Sequence, residues 1–202
     1  MKIICVGRNY VDHAKELGNA VPEEPVLFIK PKTALLNPGM FLSYPAFTNE
    51  LHYECELVIK INKNGKLLQP RQSKYYYEEV SLGIDFTARD YQAKLKKKGL
   101  PWEKAKAFDH SAAVGHFIHK SEIDLENCHF SLNKNGERVQ DGYTREMVFS
   151  IDEIIADASQ YFTLNIGDLI FTGTPAGVGE CVIGDLLEGE LEGQKLLSVE
   201  VR

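Results

Sequence analysis

The chain has 202 residues, 44% of them hydrophobic, and a formal net charge of −6. That length suits one good-sized domain, and that apolar content supports a real core, which excludes intrinsic disorder. The acidic balance argues against a general binder of nucleic acid or of anionic membranes.

In chain order, Ile3-Ile4-Cys5-Val6 predicts a strand over 2–6, followed by Gly7-Arg8-Asn9-Tyr10 and a short helix over 11–17. No charged leader with an apolar run precedes that strand, and no apolar stretch approaches the length of a membrane span. The expected address is the cytoplasm, with no membrane partner. Residues 26–29 are apolar and predict a strand that runs into a turn at Lys30-Pro31. A strand is expected over 54–62, with Lys63-Asn64-Gly65-Lys66 as its hairpin turn. Another strand is expected over 80–87, then a helix over 88–98 that stops at Gly99 with Pro101 beyond it. The basic run Lys94-Leu95-Lys96-Lys97-Lys98 falls late in that helix, where it complements the helix dipole and faces water. Residues 130–133 and 137–140 flank Lys134-Asn135-Gly136 and predict a hairpin.

Ser150 with Glu153 three residues later has capping-box form and opens a helix to about Phe162. Gly167-Asp168 turns the chain into a strand over 169–172, and strands over 186–191 and 196–201 close the sequence. Long helices do not alternate regularly with the strands, which argues against a doubly wound sheet or a TIM barrel. The four cysteines, Cys5, Cys55, Cys128 and Cys181, form no CxxC pair, so no zinc knuckle or thioredoxin motif is present. Cys5 and Cys55 read as small core residues, consistent with a reducing compartment.

Read as one strand, residues 52–61 send Tyr53, Cys55, Leu57, Ile59 and Ile61 to one face and Glu54 and Glu56 to the other. Adjacent carboxylates repel unless a cation sits between them, and a hard divalent ion takes oxygen ligands. On this segment alone, a half-buried strand with a solvated acidic face is the commoner arrangement. Asp85, at the end of an apolar strand, is either a helix cap or a third carboxylate for the same ion. His13 and Glu16 lie at i and i+3 on one helical face, as an ordinary surface pair or as a base with its orienting carboxylate. Lys104 and Lys106 lie in an aromatic-flanked segment, where either could neutralise an enolate or stay solvated. The glycine-rich run from Phe171 to Gly179 is no P-loop and no GxGxxG fingerprint. It is an irregular turn or a loop that approaches a ligand with its backbone and the hydroxyls of its threonines.

Together these segments resemble the fumarylacetoacetate hydrolase family, in particular its short branch typified by acylpyruvases. The matching runs are VGRNYVDHAKE, PVLFIKP, HYECELVIKI, GIDFTARDYQ, KKGLPWEKAKAFD, NGERVQDG, MVFSIDEII and GDLIFTGTPAGVG. They extend from residue 3 nearly to the end, and ExE followed by DxTxRDxQ and TGTPxGVG is a specific combination.

The resemblance implies a β-rich α+β fold, a layered β-roll with short flanking helices. It implies one catalytic domain over 1–202, in which residues 1–25 include a mobile lid helix, and a homodimer. Glu54, Glu56 and Asp85 match the family's Mg²⁺ ligands, with Mn²⁺ or Ca²⁺ able to substitute. His13 and Glu16 match its catalytic dyad on the lid, and Lys106 matches its active-site lysine, whereas Lys104 does not align. Arg89, Gln92 and Thr174 match residues near the bound 2-oxo acid. Asp109 departs from the branch's uncharged residue and is expected near the pocket mouth.

The implied activity is Mg²⁺-dependent hydrolysis of a C–C bond in acylpyruvate-type 2,4-dioxo acids through a metal-stabilised enolate, with decarboxylation of oxaloacetate as a companion. The alternatives share the enolate: tautomerisation, or isomerisation or hydration of 2-hydroxy-dienoates and 2-oxo acids. A non-catalytic scaffold would need gaps in this constellation, and the sequence has none.

Overall fold

The computed structural model describes residues 1–16, 18 and 20–202. The strands and helices of the first half are β1 (Ile3–Gly7), α1 (Val11–Glu16), β2 (Val26–Lys30), β3 (Leu35–Leu36), β4 (Leu51–Tyr53), β5 (Cys55–Ile61), α2 (Pro70–Ser73), β6 (Tyr77–Asp85), β7 (Thr87–Ala88) and α3 (Arg89–Lys97). The second half adds α4 (Glu103–Lys106), β8 (Ala112–Val114), β9 (Ile118–His119), β10 (His129–Lys134), β11 (Glu137–Tyr143), α5 (Ile151–Tyr161), β12 (Leu169–Phe171), β13 (Gly179–Glu180), β14 (Leu186–Leu191) and β15 (Gln194–Glu200). Leu17, expected to end the first helix, lies outside the described residues.

Ile3, Ile4, Cys5 and Val6 are all buried because β1 is an interior strand with both faces covered, which is why its sequence does not alternate. It pairs antiparallel with β2 and parallel with β12. The large sheet runs β2-β1-β12-β5-β6-β8-β3, with β9 attached to β6. A four-stranded antiparallel sheet, β11-β10-β14-β15, packs against it, and its Gly189 lies close to Leu82 of β6. A small third sheet, β13-β4-β7, closes one end. The fold is mostly β with short flanking helices, the β-rich α+β class expected.

Several local readings hold. The β10–β11 hairpin turns at Asn135 and Gly136, both at positive φ (54° and 84°), as its tight turn requires. Helix α5 starts with the capping box: Ser150 Oγ accepts from Glu153 N, and Ser150 N donates to Glu153 Oε2 at 2.8 Å. Ile151, Ile154, Ile155 and Ala158 are the face it buries.

Others are corrected. The strand expected over 54–62 is β5, but residues 52–61 are not one strand: the chain changes sheets at Glu54, where β4 pairs with β7 and β13, and β5 with β6 and β12. Residues 63–66 do not form a hairpin turn. Gly65 exchanges backbone hydrogen bonds with Leu164, so the connection to β6 detours over 62–76 through α2. Strand β6 begins at Tyr77, earlier than expected, and ends at Asp85. Lys30 is no turn residue; it ends β2 with its side chain fully buried. Among the described residues, no helix is long and apolar enough to cross a membrane.

Candidate metal centre and active site

The register between β5 and β6 builds the acidic cluster. Cys55 pairs with Ile84 and Glu56 with Gly83. One step further out, Asp85 N donates to Glu54 O at 2.8 Å, so Asp85 stands opposite Glu54. Opposite and alternate residues share a face. The side chains of Glu54, Glu56 and Asp85 therefore converge, with one ligand oxygen from each lying within 4.8 Å of the others. All three are buried, at 5%, 2% and 1% exposure, which rules out a solvated acidic face.

Buried carboxylates need compensating charge. Lys106 Nζ donates to Glu54 Oε2 and to Asp85 Oδ2, both at 2.7 Å. Arg89, the first residue of α3, donates to the other Glu54 oxygen at 2.5 Å. Lys30 Nζ lies 2.6 Å from Asp85 Oδ1 and donates to the carbonyls of Ser111 (2.6 Å) and Phe86 (3.3 Å). Gly173 N donates to Glu56 Oε2 at 2.6 Å. Gly173 has φ +100°, and a Cβ there would meet Asn9 Cβ at 2.7 Å, so only glycine brings this N–H so close.

These neighbours divide the cluster. Burial works to raise the Glu54 carboxyl, but Lys106, Arg89 and His13 outweigh it and hold it well below the ordinary carboxylate range. Glu56 is pushed well above that range by burial and by the charges of Asp85 and Glu54. Burial also opposes the Lys106 charge, yet Asp85 and Glu54 overcome it and raise the ammonium.

The donor set fits a divalent cation. It consists of three hard oxygens on rigid strand ends. Asp85 Oδ1 is buried with no hydrogen-bond donor, since its contact with Lys30 is an ion pair outside hydrogen-bond geometry. A carboxylate oxygen that receives no hydrogen bond keeps a lone pair for a cation.

His13 is buried at 5% exposure and lines the same cleft as the three carboxylates. Its Nδ1 lies 3.2 Å from Glu16 Oε2, and the second Glu16 oxygen accepts from Gly177 N at 3.2 Å. The surface-pair reading of His13 is thereby overturned. The cavity enclosed between them is about 40 Å³.

Arg89, Gln92 and Thr174 also line this cleft, together with Lys106. Arg89 donates to Gln92 Oε1 at 2.6 Å, so the two sit as a unit. The Thr174 hydroxyl donates to Cys55 O at 2.7 Å and accepts from Gln140 Nε2 at 2.8 Å. Lys104 is exposed and outside the cleft, as its failure to align implied. Asp109 is exposed and lines no part of the cleft, which corrects its expected place at the pocket mouth.

Sequence reasoning missed Lys30, Gln140, Arg8 and Lys96. Gln140 also accepts from Cys55 N at 2.8 Å and donates to Pro175 O at 3.1 Å, which clamps the start of β5 to the glycine-rich loop. Lys96 belongs to the basic run expected to face water, yet it reaches the cleft. The signal was its spacing: Arg89, Gln92 and Lys96 at i, i+3 and i+7 share one helical face.

The chain is similar to known proteins over nearly its whole length. Residues 2–202 match the family model described as fumarylacetoacetate (FAA) hydrolase C-terminal. The chain is 44% identical over 197 residues to the oxaloacetate tautomerase YcgM of Escherichia coli, covering 96% of this chain and 90% of that protein. It is 44% identical over 192 residues to the mitochondrial oxaloacetate tautomerase FAHD1 of Bos taurus, covering 95% and 87%. The crystal structure of fumarylpyruvate hydrolase from Pseudomonas aeruginosa, in complex with Mn²⁺ and pyruvate, superposes with a TM-score of 0.94 at 37% identity, covering 100% of this chain and 89% of that one. The chain belongs to the fumarylacetoacetate hydrolase family.

Proposed function

We propose that the protein is a divalent-metal-dependent enzyme that interconverts the enol and keto forms of a small 2-oxo acid of the oxaloacetate type. The observation that carries this reading is the convergence of Glu54, Glu56, Asp85, Lys106 and His13 on one cleft. Glu54, Glu56 and Asp85 would hold Mg²⁺ or Mn²⁺. Such an ion, when bound, supplies Lewis-acid polarisation of the 2-oxo group and charge for the enolate. The Lys106 ammonium stands between two of the carboxylates and adds positive charge where the enolate forms. The Arg89–Gln92 pair, at the N-terminus of α3, orients the substrate carboxylate. A cavity of about 40 Å³ is too small for a four-carbon acid, so α1 acts as a lid that opens to admit substrate.

A second reading, hydrolysis of acylpyruvates, is favoured by the His13–Glu16 pair. Proton exchange at carbon needs one acid–base group beside the cleft. Hydrolysis also needs an activated water, and a buried imidazole oriented by a carboxylate suits that task. Exposed Met40, Phe41 and Leu186 around one groove support a homodimer, which light scattering tests.

The test uses purified protein stripped with a chelator and reloaded with Mg²⁺ or Mn²⁺. Loss of the enol absorbance of oxaloacetate and breakdown of acetylpyruvate are followed side by side. Metal-dependent turnover is expected with the wild type and none with Glu56→Ala, whose circular dichroism stays unchanged. Equal rates with and without metal, or normal turnover by Glu56→Ala, would sink the reading.

A further inference from the structure

Arg8 stands between β1 and α1 with φ 62°, a left-handed backbone that few non-glycine residues adopt. The conformation is enforced from both sides. Gly7 is the last residue of β1, paired with Val26. Asn9 is fully buried, and its side chain donates to Phe149 O and Thr172 O and accepts from Phe149 N, at 3.0, 2.8 and 2.8 Å. A non-glycine residue held in this region by its neighbours is a mark of functional sites.

What this geometry achieves is to aim a guanidinium into the cleft. Arg8 lines it, half-buried, and makes no hydrogen bond or ion pair among the described residues. Lys96, on the cleft-facing side of α3, joins it at the rim. Both line the cleft, and the Arg8 charge, after partial burial, is the main influence lowering the Lys96 pKa. Like charges brought together at a rim call for an anion between them.

The charge balance agrees. The cleft is lined by four cations, Arg8, Arg89, Lys96 and Lys106, and by three carboxylates, Glu54, Glu56 and Asp85. A divalent ion would raise the excess from one positive charge to three. A 2-oxo monocarboxylate returns one negative charge, next to the metal ligands. Of the four cations, Arg89 and Lys106 are bonded to Glu54 or Asp85, whereas Arg8 makes no hydrogen bond or ion pair with any of the three carboxylates.

We infer that Arg8 and Lys96 form a subsite for a second carboxylate, so that the protein selects 2-oxo dicarboxylates over monocarboxylates of the same length. This rests on the 2-oxo acid reading above and adds the feature that reads the far end of the substrate. The planar guanidinium suits bidentate capture of that carboxylate. Phe28 and Trp102, packed edge to face with ring centroids 6.0 Å apart, form the apolar wall of the cleft. An apolar acyl tail against that wall is the competing occupant.

The test titrates Mn²⁺-loaded protein by calorimetry with three probes. Oxalate reports the metal centre alone. Oxaloacetate and 2-oxobutyrate differ only in the far carboxylate. The wild type is expected to prefer oxaloacetate over 2-oxobutyrate by about tenfold or more. Arg8→Gln should bring that ratio close to one while oxalate binds as before. Lys96→Met should lower it partway, and Arg8→Lys should retain part of it.

Equal wild-type affinities, a preference for 2-oxobutyrate, or an unchanged ratio in Arg8→Gln would overturn the subsite with the parent reading intact. Loss of oxalate binding in Arg8→Gln would also overturn it, since Arg8 would then be shaping the metal centre. Absence of metal-dependent oxalate binding in the wild type would overturn the parent reading and the subsite with it.

Discussion

Gly177 N donates to Glu16 Oε1 at 3.2 Å, tying the glycine-rich loop to the first helix across 161 positions of sequence. The loop residue has to be glycine: its φ is +94°, and a Cβ would meet Val139 O at 2.3 Å. The other Glu16 oxygen faces His13 Nδ1. One carboxylate therefore ties α1 to the loop and faces the imidazole at the same time.

That double role yields a separation of activities. His13→Ala should cut acylpyruvate hydrolysis by roughly 10²–10⁴-fold, the usual worth of a general base. Tautomerisation or decarboxylation of oxaloacetate should fall much less, because the metal-site charges and Lys106 remain. Glu16→Gln keeps an acceptor for Gly177 but loses the charge beside His13, so it should follow His13→Ala in direction with a smaller effect. Parallel assays of the two reactions check this. An equal loss in both would mean that the pair serves lid closure alone.

Behind the cluster, Lys30 predicts a stability effect. Its ammonium is fully buried and contacts Asp85, Ser111 O and Phe86 O. Lys30→Met leaves those groups buried without their cation, a loss of about 3–5 kcal/mol by analogy with other broken buried pairs. Urea unfolding of metal-free protein measures it. Combining Asp85→Leu with Lys30→Met should cost less than the sum of the two single losses, since the two side chains are in contact. Strictly additive losses would show that the pair is not the source.

Why Lys30 escaped a reading of the sequence is instructive. A lysine before a proline at the end of an apolar run has the form of a turn, and its partner Asp85 lies on a strand far away in sequence. Gln140 is hidden in the same way, as one polar residue in an alternating hairpin, because its contacts to Cys55 and Thr174 are tertiary. By contrast, Glu54, Glu56, Asp85, Arg89, Gln92 and Lys106 were legible through the family resemblance, because the runs that carry it, ExE, then DxTxRDxQ, then the lysine segment, are local in sequence. The β10–β11 hairpin and the capping box of α5 were legible for the same reason, as local backbone rules fix them. The break at Glu54 was not, because it arises where one chain leaves one sheet for another.

The cysteines give a prediction of inertness. All four are buried and unpaired by disulfides. Burial pushes the thiol of Cys128 up to about 11 and that of Cys181 up to about 12, and it raises Cys5 and Cys55 as well. A raised thiol pKa keeps the sulfur protonated, so at pH 8 almost no thiolate is present. Ellman's reagent should therefore label native protein only as fast as it unfolds, and should count four thiols in urea. Rapid labelling of any one in the native state would place that cysteine in an open environment and contradict its burial.

Lys106 and Lys104 form an internal control within one short helix. Lys106 is 3% exposed and bridges Glu54 and Asp85, while Lys104 is exposed to solvent. Two residues apart on α4, their side chains point in different directions. On the proposed mechanism an enolate is common to tautomerisation and hydrolysis, so Lys106→Met should impair both. The expected loss is roughly 2–4 kcal/mol of transition-state stabilisation, comparable to removing one oxyanion-hole donor. It should appear in kcat with both oxaloacetate and acetylpyruvate. Lys104→Met should be silent in both assays and in thermal stability. Rate measurements on the two variants under saturating metal decide the matter. The opposite pattern, with Lys104 essential and Lys106 dispensable, would mean that the charge beside the enolate comes from elsewhere in the cleft.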